Sequence, residues 1–559
     1  MAERFGDVIL ERDRSCIMRD GTVLYADIYR PEAEGPHPVL LMRQPYGKRI
    51  ASTVTYAHPV WYAKQGYIVV IQDVRGRGIS EGEFEPFIRE AEDGWDTVEW
   101  AAGLPDSNGR VGMYGFSYQG FTQWAAASEK PPRLAAIAPG MCGADVYGGM
   151  IYPQGRLAIW EHLPWAYQLA RDAARRAGDP SVEEACTSVR RGPSHEMLLH
   201  LPVAGEHPIL SRYFPAYREW CSHPHYDEYW ESRNLMPKLA DSPVPALHIG
   251  GWYDLFLMGT MRMFDAIGRG NPTHRLIVGP WDHIPWGRRA GGVDHGAEAC
   301  GDIHLKQLRW FDYWLKDKGD AGSPEAPAIE YFELGGNRWR SLERGVSPFG
   351  SGLEAERRFL RGSAVPANGA SGGGRLADAA AGADEGSVDV FVYDSRLPMP
   401  LDSYLPQDRS EIEDRFEMLV FTSEPAERCF RVFGAPRVRL QVQADDGPTD
   451  LIAVLSAVYP DGASRFLSVG REEIGKGESG EWETVEIELR PVAMAFDAGL
   501  SVRLELTGSA FPVFVRHPGG VPPEDIHRVG PERLNVVSVA VKSGGAVSYL
   551  ELPVVADGG

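Results

Sequence analysis

A chain of 559 residues with 43% hydrophobic and 24% charged residues has room for two or three domains, each burying its own core. A net charge of −21 speaks against nucleic acid or an anionic membrane as partner, since both need clustered lysine and arginine. The opening MAERFGDVILERDR has acids and no apolar run, which argues against a signal peptide or anchor; six scattered cysteines without a CxxC pair fit reduced thiols in a cytoplasm and leave no structural zinc site.

In chain order, residues 22–29 alternate as an antiparallel strand should, whereas 39–42 and 67–72 are unbroken apolar runs, the pattern of parallel strands buried on both faces. Residues 59–65 read as a helix between those runs. Asp73-Val74-Arg75-Gly76-Arg77-Gly78 then leaves the sheet as a loop, and 93–102 reads as an amphipathic helix. It leads into RVGMYGFSYQGFTQWAAASEK at 110–130, where 111–114 is a short buried strand, 115–118 a sharp turn, and the rest a helix that stops before Pro131-Pro132.

This is the pattern of a nucleophile elbow with Ser117 at its apex. A turn that tight strains the apical residue and needs small neighbours, which Gly115 and Gly120 supply. The spacing is G-x-S-x-x-G, one residue longer than the usual G-x-S-x-G. Literal matches occur at Gly78-Ile79-Ser80-Glu81-Gly82 and Gly369-Ala370-Ser371-Gly372-Gly373, but neither has a strand before it and a helix after it.

After a strand at 134–138 the pattern from 144 to 239 is helical, strand-poor and rich in aromatics such as Trp160 and Trp165. Helices inserted at this point usually form a cap that walls the site and restricts water, although any single Trp here reads more readily as packing than as substrate contact. The sheet resumes at 245–251, followed by Trp252-Tyr253-Asp254; a further strand at 275–278 is followed by Gly279-Pro280-Trp281-Asp282-His283. Ser117, Asp254 and His283 thus fall at strand ends in the order Ser, Asp, His of an α/β-hydrolase triad. Imidazole titrates near neutral pH and can take the serine proton, while the acid fixes its tautomer. Asp282 is a rival acid, and His248, His274, His295 and His304 are rival bases.

Residues 304–317 read as a closing helix, and 328–332 and a strand at Trp339 follow. The glycine-rich 362–386 is expected as a mobile surface loop. From 388 onward short alternating strands predict a jelly-roll-like β-sandwich without chemistry of its own. The expected fold class is therefore an α/β-hydrolase sheet (1–143 and 241–350) with an inserted helical cap (144–240), followed by a C-terminal β-domain (351–559).

The elbow at 115–120, Trp252-Tyr253-Asp254, Gly279-Pro280-Trp281-Asp282-His283, Arg43-Gln44-Pro45-Tyr46, and the Asp73-Val74-Arg75-Gly76 loop with Ser80-Glu81-Gly82 behind it resemble the cocaine esterase and X-prolyl dipeptidyl-peptidase family of serine hydrolases, over essentially the whole chain. The shifted second glycine is that family's own pattern. The resemblance implies a triad of Ser117, Asp254 and His283, with an oxyanion hole made by the Tyr46 hydroxyl and the Tyr118 backbone N–H. By its residues alone, Pro45-Tyr46 is a strand-end turn with a packed ring. In the family's α-amino acid ester hydrolases two acids closely following the triad aspartate help to bind the substrate ammonium; here stand Leu255-Phe256-Leu257, with nothing to compensate a buried cation. Resemblance to the cocaine esterase-like branch implies an apolar acyl pocket of Phe256, Trp165, Ile151 and Gln119, with Leu405 near its entrance. Gln119 departs from the apolar residue expected there and could donate a hydrogen bond.

The expectation is a cytoplasmic serine carboxylesterase that acts on bulky or aromatic acyl esters through an acyl-enzyme, with no metal or organic cofactor. Its partner is a small-molecule ester, and a homodimer is left open. The alternatives are an amidase or acylase on N-acyl substrates, or an X-prolyl dipeptidyl-peptidase, the latter disfavoured because the chain lacks an extended N-terminal subunit-pairing domain. A non-catalytic carbohydrate-binding protein is disfavoured by the intact Ser, Asp and His in their order.

Overall fold

A computed structural model describes residues 3–49, 55–323, 325–380, 382, 386–477 and 480–556. The first part of the chain supplies β1 (Glu3–Phe5), β2 (Val8–Ile17), β3 (Val23–Pro31), β4 (His37–Gln44), β5 (Ile68–Asp73), β6 (Ser107–Phe116), β7 (Leu134–Gly140), β8 (Ala246–Gly251) and β9 (His274–Gly279). A small hairpin of β10 (Arg289–Ala290) and β11 (Val293–Asp294) stands apart, and β12 (Ile329–Glu333) and β13 (Arg338–Leu342) complete an eleven-stranded sheet of order β1-β2-β3-β5-β4-β6-β7-β8-β9-β12-β13. From β5 to β12 the neighbours pair in parallel; β1 to β3 and β13 pair antiparallel at the two ends.

The continuous apolar runs are explained by burial on both faces. In β4, Val39 and Leu41 join the core beneath α2 (Glu90–Ala102) and α3 (Tyr118–Ser128), while Leu40 and Met42 join the opposite core beneath α1 (Pro59–Lys64) and the helix Ile303–Lys316. Side chains alternate across a strand, so a strand covered on both sides must be apolar at every position. Between β7 and β8 the chain is helical, its longest element being α4 (Ile159–Arg176). Among the described residues no helix is long and apolar enough to cross a membrane. All six cysteines are free, four of them buried.

The C-terminal part is all-β. Ser387–Asp394 and Arg437–Ala444 alternate buried and exposed residues, as strands with one face on a core should. Thr449–Val458 does not alternate: Leu451, Ala453 and Leu455 face the sandwich interior, while Ile452 and Val454 enter the core shared with the cap helices. Beside it Arg156, from the loop before α4, donates to Asp450 at 2.9 Å and Glu473 at 2.5 Å, and Arg471 donates to the same two carboxylates, so a buried ion cluster joins cap and β-domain.

The glycine-rich stretch 362–386 corrects the expectation of a mobile loop. Arg375–Ala377 is a strand between Glu354–Arg361 and Met418–Ser423, with Leu376 buried. Its glycines serve close approach rather than freedom: a side chain on Gly374 would lie 2.2 Å from the Val420 carbonyl, and one on Gly373 2.2 Å from that of Val365. Residues 381 and 383–385 of that stretch lie outside the described residues.

Candidate active site

β6 turns directly into α3, and the turn explains its glycines. Gly115 has a φ of 137°, and a side chain there would meet the Gln119 Cβ at 2.5 Å; one on Gly120 would meet the Cys142 sulfur at 2.4 Å and the Gly140 carbonyl at 2.9 Å. The longer spacing therefore places the second glycine where α3 presses on the end of β7. Ser117 has φ 59° and ψ −130°, a conformation that costs a non-glycine residue about 1–3 kcal/mol. It is held by its N–H donating to Gly140 at 2.9 Å and by its carbonyl accepting from the Gly120 and Phe121 amides.

The ends of β8 and β9 run together to bring in the other two residues. Gly251 lies against the Trp281 carbonyl, where a side chain would sit at 2.3 Å, and the Trp252 and Tyr253 amides donate to Gly279 and Trp281 at 2.9 and 3.1 Å. Asp254 is fully buried, and its Oδ2 accepts from the Phe256 N–H at 3.1 Å. Its Oδ1 is 2.7 Å from His283 Nδ1, and His283 Nε2 is 3.0 Å from Ser117 Oγ. Of the five rivals, His304 packs its ring beside Tyr56 and Trp61, with centroids 6.0 and 6.5 Å away, and the other four are engaged elsewhere. His274 pairs with His248 at 3.0 Å, His295 sits between Tyr253 and Asn337, and Asp282 accepts from the Ile284 amide of its own turn. Ser80 Oγ donates to the Asp73 carbonyl, and Ser371 is exposed in a turn.

Burial pushes the His283 pKa down, but the hydrogen bond and charge of Asp254, with the Glu161 and Asp282 carboxylates beyond, outweigh it, and the net shift is upward. Tyr46 follows β4 in a loop tied down by Asp73, whose Oδ1 accepts from Gln44 Nε2 at 2.6 Å and from the Lys48 N–H at 2.7 Å. Gln44 in turn accepts from the Tyr46 N–H at 2.6 Å. The Tyr46 oxygen accepts from Trp165 Nε1 at 3.2 Å, which leaves its own proton to be donated, and burial raises its pKa to about 12. The Tyr118 phenol is turned away, donating to Glu90 at 3.0 Å and accepting from the Phe87 N–H, so only its backbone amide, one of the first in α3, remains beside Ser117.

The expected pocket residues divide. Phe256 lies edge-on to His283 with centroids 5.0 Å apart, and Trp165 stacks on Trp220 at 5.4 Å while touching Tyr46. Ile151 is buried in the apolar core of the cap. Gln119 is folded under the elbow, its Oε1 accepting from the Phe116 N–H at 3.3 Å. Leu405 is half-buried against Gly291 of the hairpin that follows His283. Sequence reasoning missed Glu161, whose half-buried carboxyl is raised by burial and opposed chiefly by the charge of His283; it sits within WEHLPW, an aromatic run that reads as packing.

A strained serine at a strand-to-helix turn of a parallel sheet, with an imidazole and a carboxylate from later strand ends, is the arrangement of the α/β-hydrolase class. Residues 20–285 match the family described as X-Pro dipeptidyl-peptidase (S15 family), and residues 322–537 match the X-Pro dipeptidyl-peptidase C-terminal non-catalytic domain. The cocaine esterase of Rhodococcus sp. (strain MB1 Bresler) is 33% identical over 90% of this chain and 92% of its own. The chain belongs to the cocaine esterase and X-Pro dipeptidyl-peptidase family and is a hydrolase of the serine carboxylesterase type. In fold it is similar to an aminopeptidase from a marine sediment archaeon (Thaumarchaeota archaeon), with a TM-score of 0.81 and 22% identity over 100% of this chain and 98% of that one. It is equally similar to an α-amino acid ester hydrolase, with a TM-score of 0.80 and 22% identity over 98% and 97%.

Proposed function

We propose that Ser117, His283 and Asp254 are the catalytic triad, and that the enzyme hydrolyses carboxylic esters of bulky or aromatic acids through an acyl-enzyme. The observation that carries this reading is the unbroken relay of 3.0 and 2.7 Å from Ser117 Oγ through His283 to Asp254. His283 Nε2 takes the Ser117 proton as Oγ attacks the ester carbonyl, and the Tyr46 hydroxyl with the Tyr118 N–H receives the negative charge on the carbonyl oxygen. The alcohol leaves with the proton from His283; water then attacks the acyl carbon while giving a proton to His283, and the bond to Oγ breaks as His283 returns that proton to Ser117 and the acid departs. Phe256 and Trp165 give the acyl side an apolar wall, and Leu255, Phe256 and Leu257 after Asp254 are all buried and uncharged. In this reading 1–143 and 241–350 are the hydrolase core, 144–240 the cap and 351–559 the supporting β-domain.

The test is a panel of p-nitrophenyl acetate, butyrate and benzoate, a phenylglycine methyl ester and an X-Pro anilide, run with wild type and Ser117→Ala. Benzoate and butyrate are expected to be the best substrates, and Ser117→Ala to lose about 10⁶-fold in kcat. Turnover retained by Ser117→Ala would sink the triad. Preference for the amino ester or the anilide would replace the neutral acyl pocket with an ammonium site.

A further inference from the structure

The guanidinium of Arg490 reaches out of the β-domain into the loop that carries the acid. Its Nη2 donates to the Asp254 carbonyl at 2.5 Å and the Trp252 carbonyl at 3.5 Å, and its Nη1 donates to the Leu255 carbonyl at 3.3 Å. All three acceptors lie on the four residues 252–255. Arg490 is 3% exposed, and these partners are carbonyls; among the described residues no carboxylate pairs with the guanidinium directly, and the Asp254 carboxylate acts on it as a nearby charge. Such a group is costly to keep in a fold, and a hydrophobic residue would fill the same space more cheaply.

The group is also held rigidly. The Arg490 N–H donates to Val469 at 3.0 Å and its carbonyl accepts from Ser468 Oγ at 2.6 Å, so its backbone is fixed to the sandwich. The Tyr404 ring lies 3.7 Å under the guanidinium, and Tyr404 in turn meets Trp160 of α4 edge-on at 6.4 Å. A planar fork clamped by an aromatic face has little freedom left, unlike a lysine in the same place. On the other side, the Asp254 carbonyl accepts from the Leu257 N–H at 3.2 Å as well as from Arg490, and Asp254 Oδ2 accepts from Phe256. With backbone and one carboxylate oxygen fixed, the other oxygen has one place to go, which is toward His283.

We propose that Arg490 is a positioning residue for hydrolysis: from the β-domain it fixes the backbone of Trp252–Leu255 so that the Asp254 carboxylate keeps its bond to His283. The inference rests on the triad reading above. It assigns to the C-terminal domain a part in the chemistry, acting through Asp254 and without touching substrate.

The experiment compares Arg490→Met, Arg490→Lys and Ser117→Ala with wild type on p-nitrophenyl benzoate, with near-UV circular dichroism as the check of folding. Arg490→Met is expected to lower kcat about 10- to 100-fold, the scale of a misplacement near 1 Å, with KM unchanged within about twofold. Fluorophosphonate labelling of Ser117 slows by the same factor, and Arg490→Lys recovers part of both. Loss of packing alone would not split kcat from KM, nor be rescued by a lysine with poorer shape fit. A folded Arg490→Met with wild-type kcat overturns the proposal, as does a rise in KM at constant kcat. If Arg490→Met does not fold, Arg490→Lys decides alone: a folded protein with lowered kcat supports the proposal, and one with wild-type kcat overturns it. Ser117→Ala separates the two levels, because turnover retained there removes the triad reading itself, whatever Arg490 does.

Discussion

In the proposed mechanism Tyr46 and His283 face opposite electrostatic demands at the same carbonyl. A phenol raised to about 12 stays protonated around neutral pH and can there donate to an oxyanion. Tyr46→Phe should therefore lower kcat about 10²- to 10³-fold with little change in KM, the cost of one oxyanion donor, measured on p-nitrophenyl butyrate. His283 must be neutral to accept the serine proton, and its pKa is raised, so kcat/KM rises with pH through a midpoint above the ordinary imidazole value of about 6.5. Glu161→Gln removes one of the facing carboxylates, leaving Asp254 and Asp282, and should move that midpoint down; an unmoved midpoint would take Glu161 out of the field of His283. At this scale, the meeting of Ser117, Asp254 and His283 was legible because each follows a strand of the parallel sheet. Arg490 was not, since it meets Asp254 from 236 residues away and nothing local marks it.

The elbow is the element that tolerates least change. Its second glycine faces a sulfur and a backbone carbonyl, and the carbonyl cannot move without shifting β7. Gly120→Ala should destabilise the fold by about 1–3 kcal/mol through overpacking and lower kcat by tilting α3, with urea denaturation and turnover as the two readouts. The parallel strands β4, β5, β8 and β9 were readable as apolar runs because covered sheets demand them. Others were hidden for physical reasons. In β2 a register shift between Glu11 and Arg14 breaks the alternation, Glu354–Arg361 is charged on its open face, and Val492–Phe496 is buried on both sides yet too short to stand out. The glycines at 373 and 374 looked like freedom and are instead points of contact between backbones.

At the scale of the molecule, the cluster of Arg156, Arg471, Asp450 and Glu473 is the polar fastening of cap to β-domain. Burial pushes the Asp450 carboxyl up, but Arg156 and Arg471 outweigh it and hold it below the ordinary carboxylate range. Its stabilisation is complete above the unfolded value of about 3.9 and is lost as pH falls through the depressed folded value. Arg156→Met leaves two buried acids to one arginine and should cost about 3–5 kcal/mol, read as a lowered Tm at pH 7, with the gap from wild type narrowing in strong acid. The division into α/β sheet, helical insertion and β-domain was legible from the change in periodicity along the chain, but not the joint between them, because the strand Thr449–Val458 reads as one more of the short alternating strands of the sandwich. That strand gives alternate residues to two cores at once. Heat cannot open one core without stripping a wall from the other, so a calorimeter should record one endotherm for the whole chain where two separable bodies would give two.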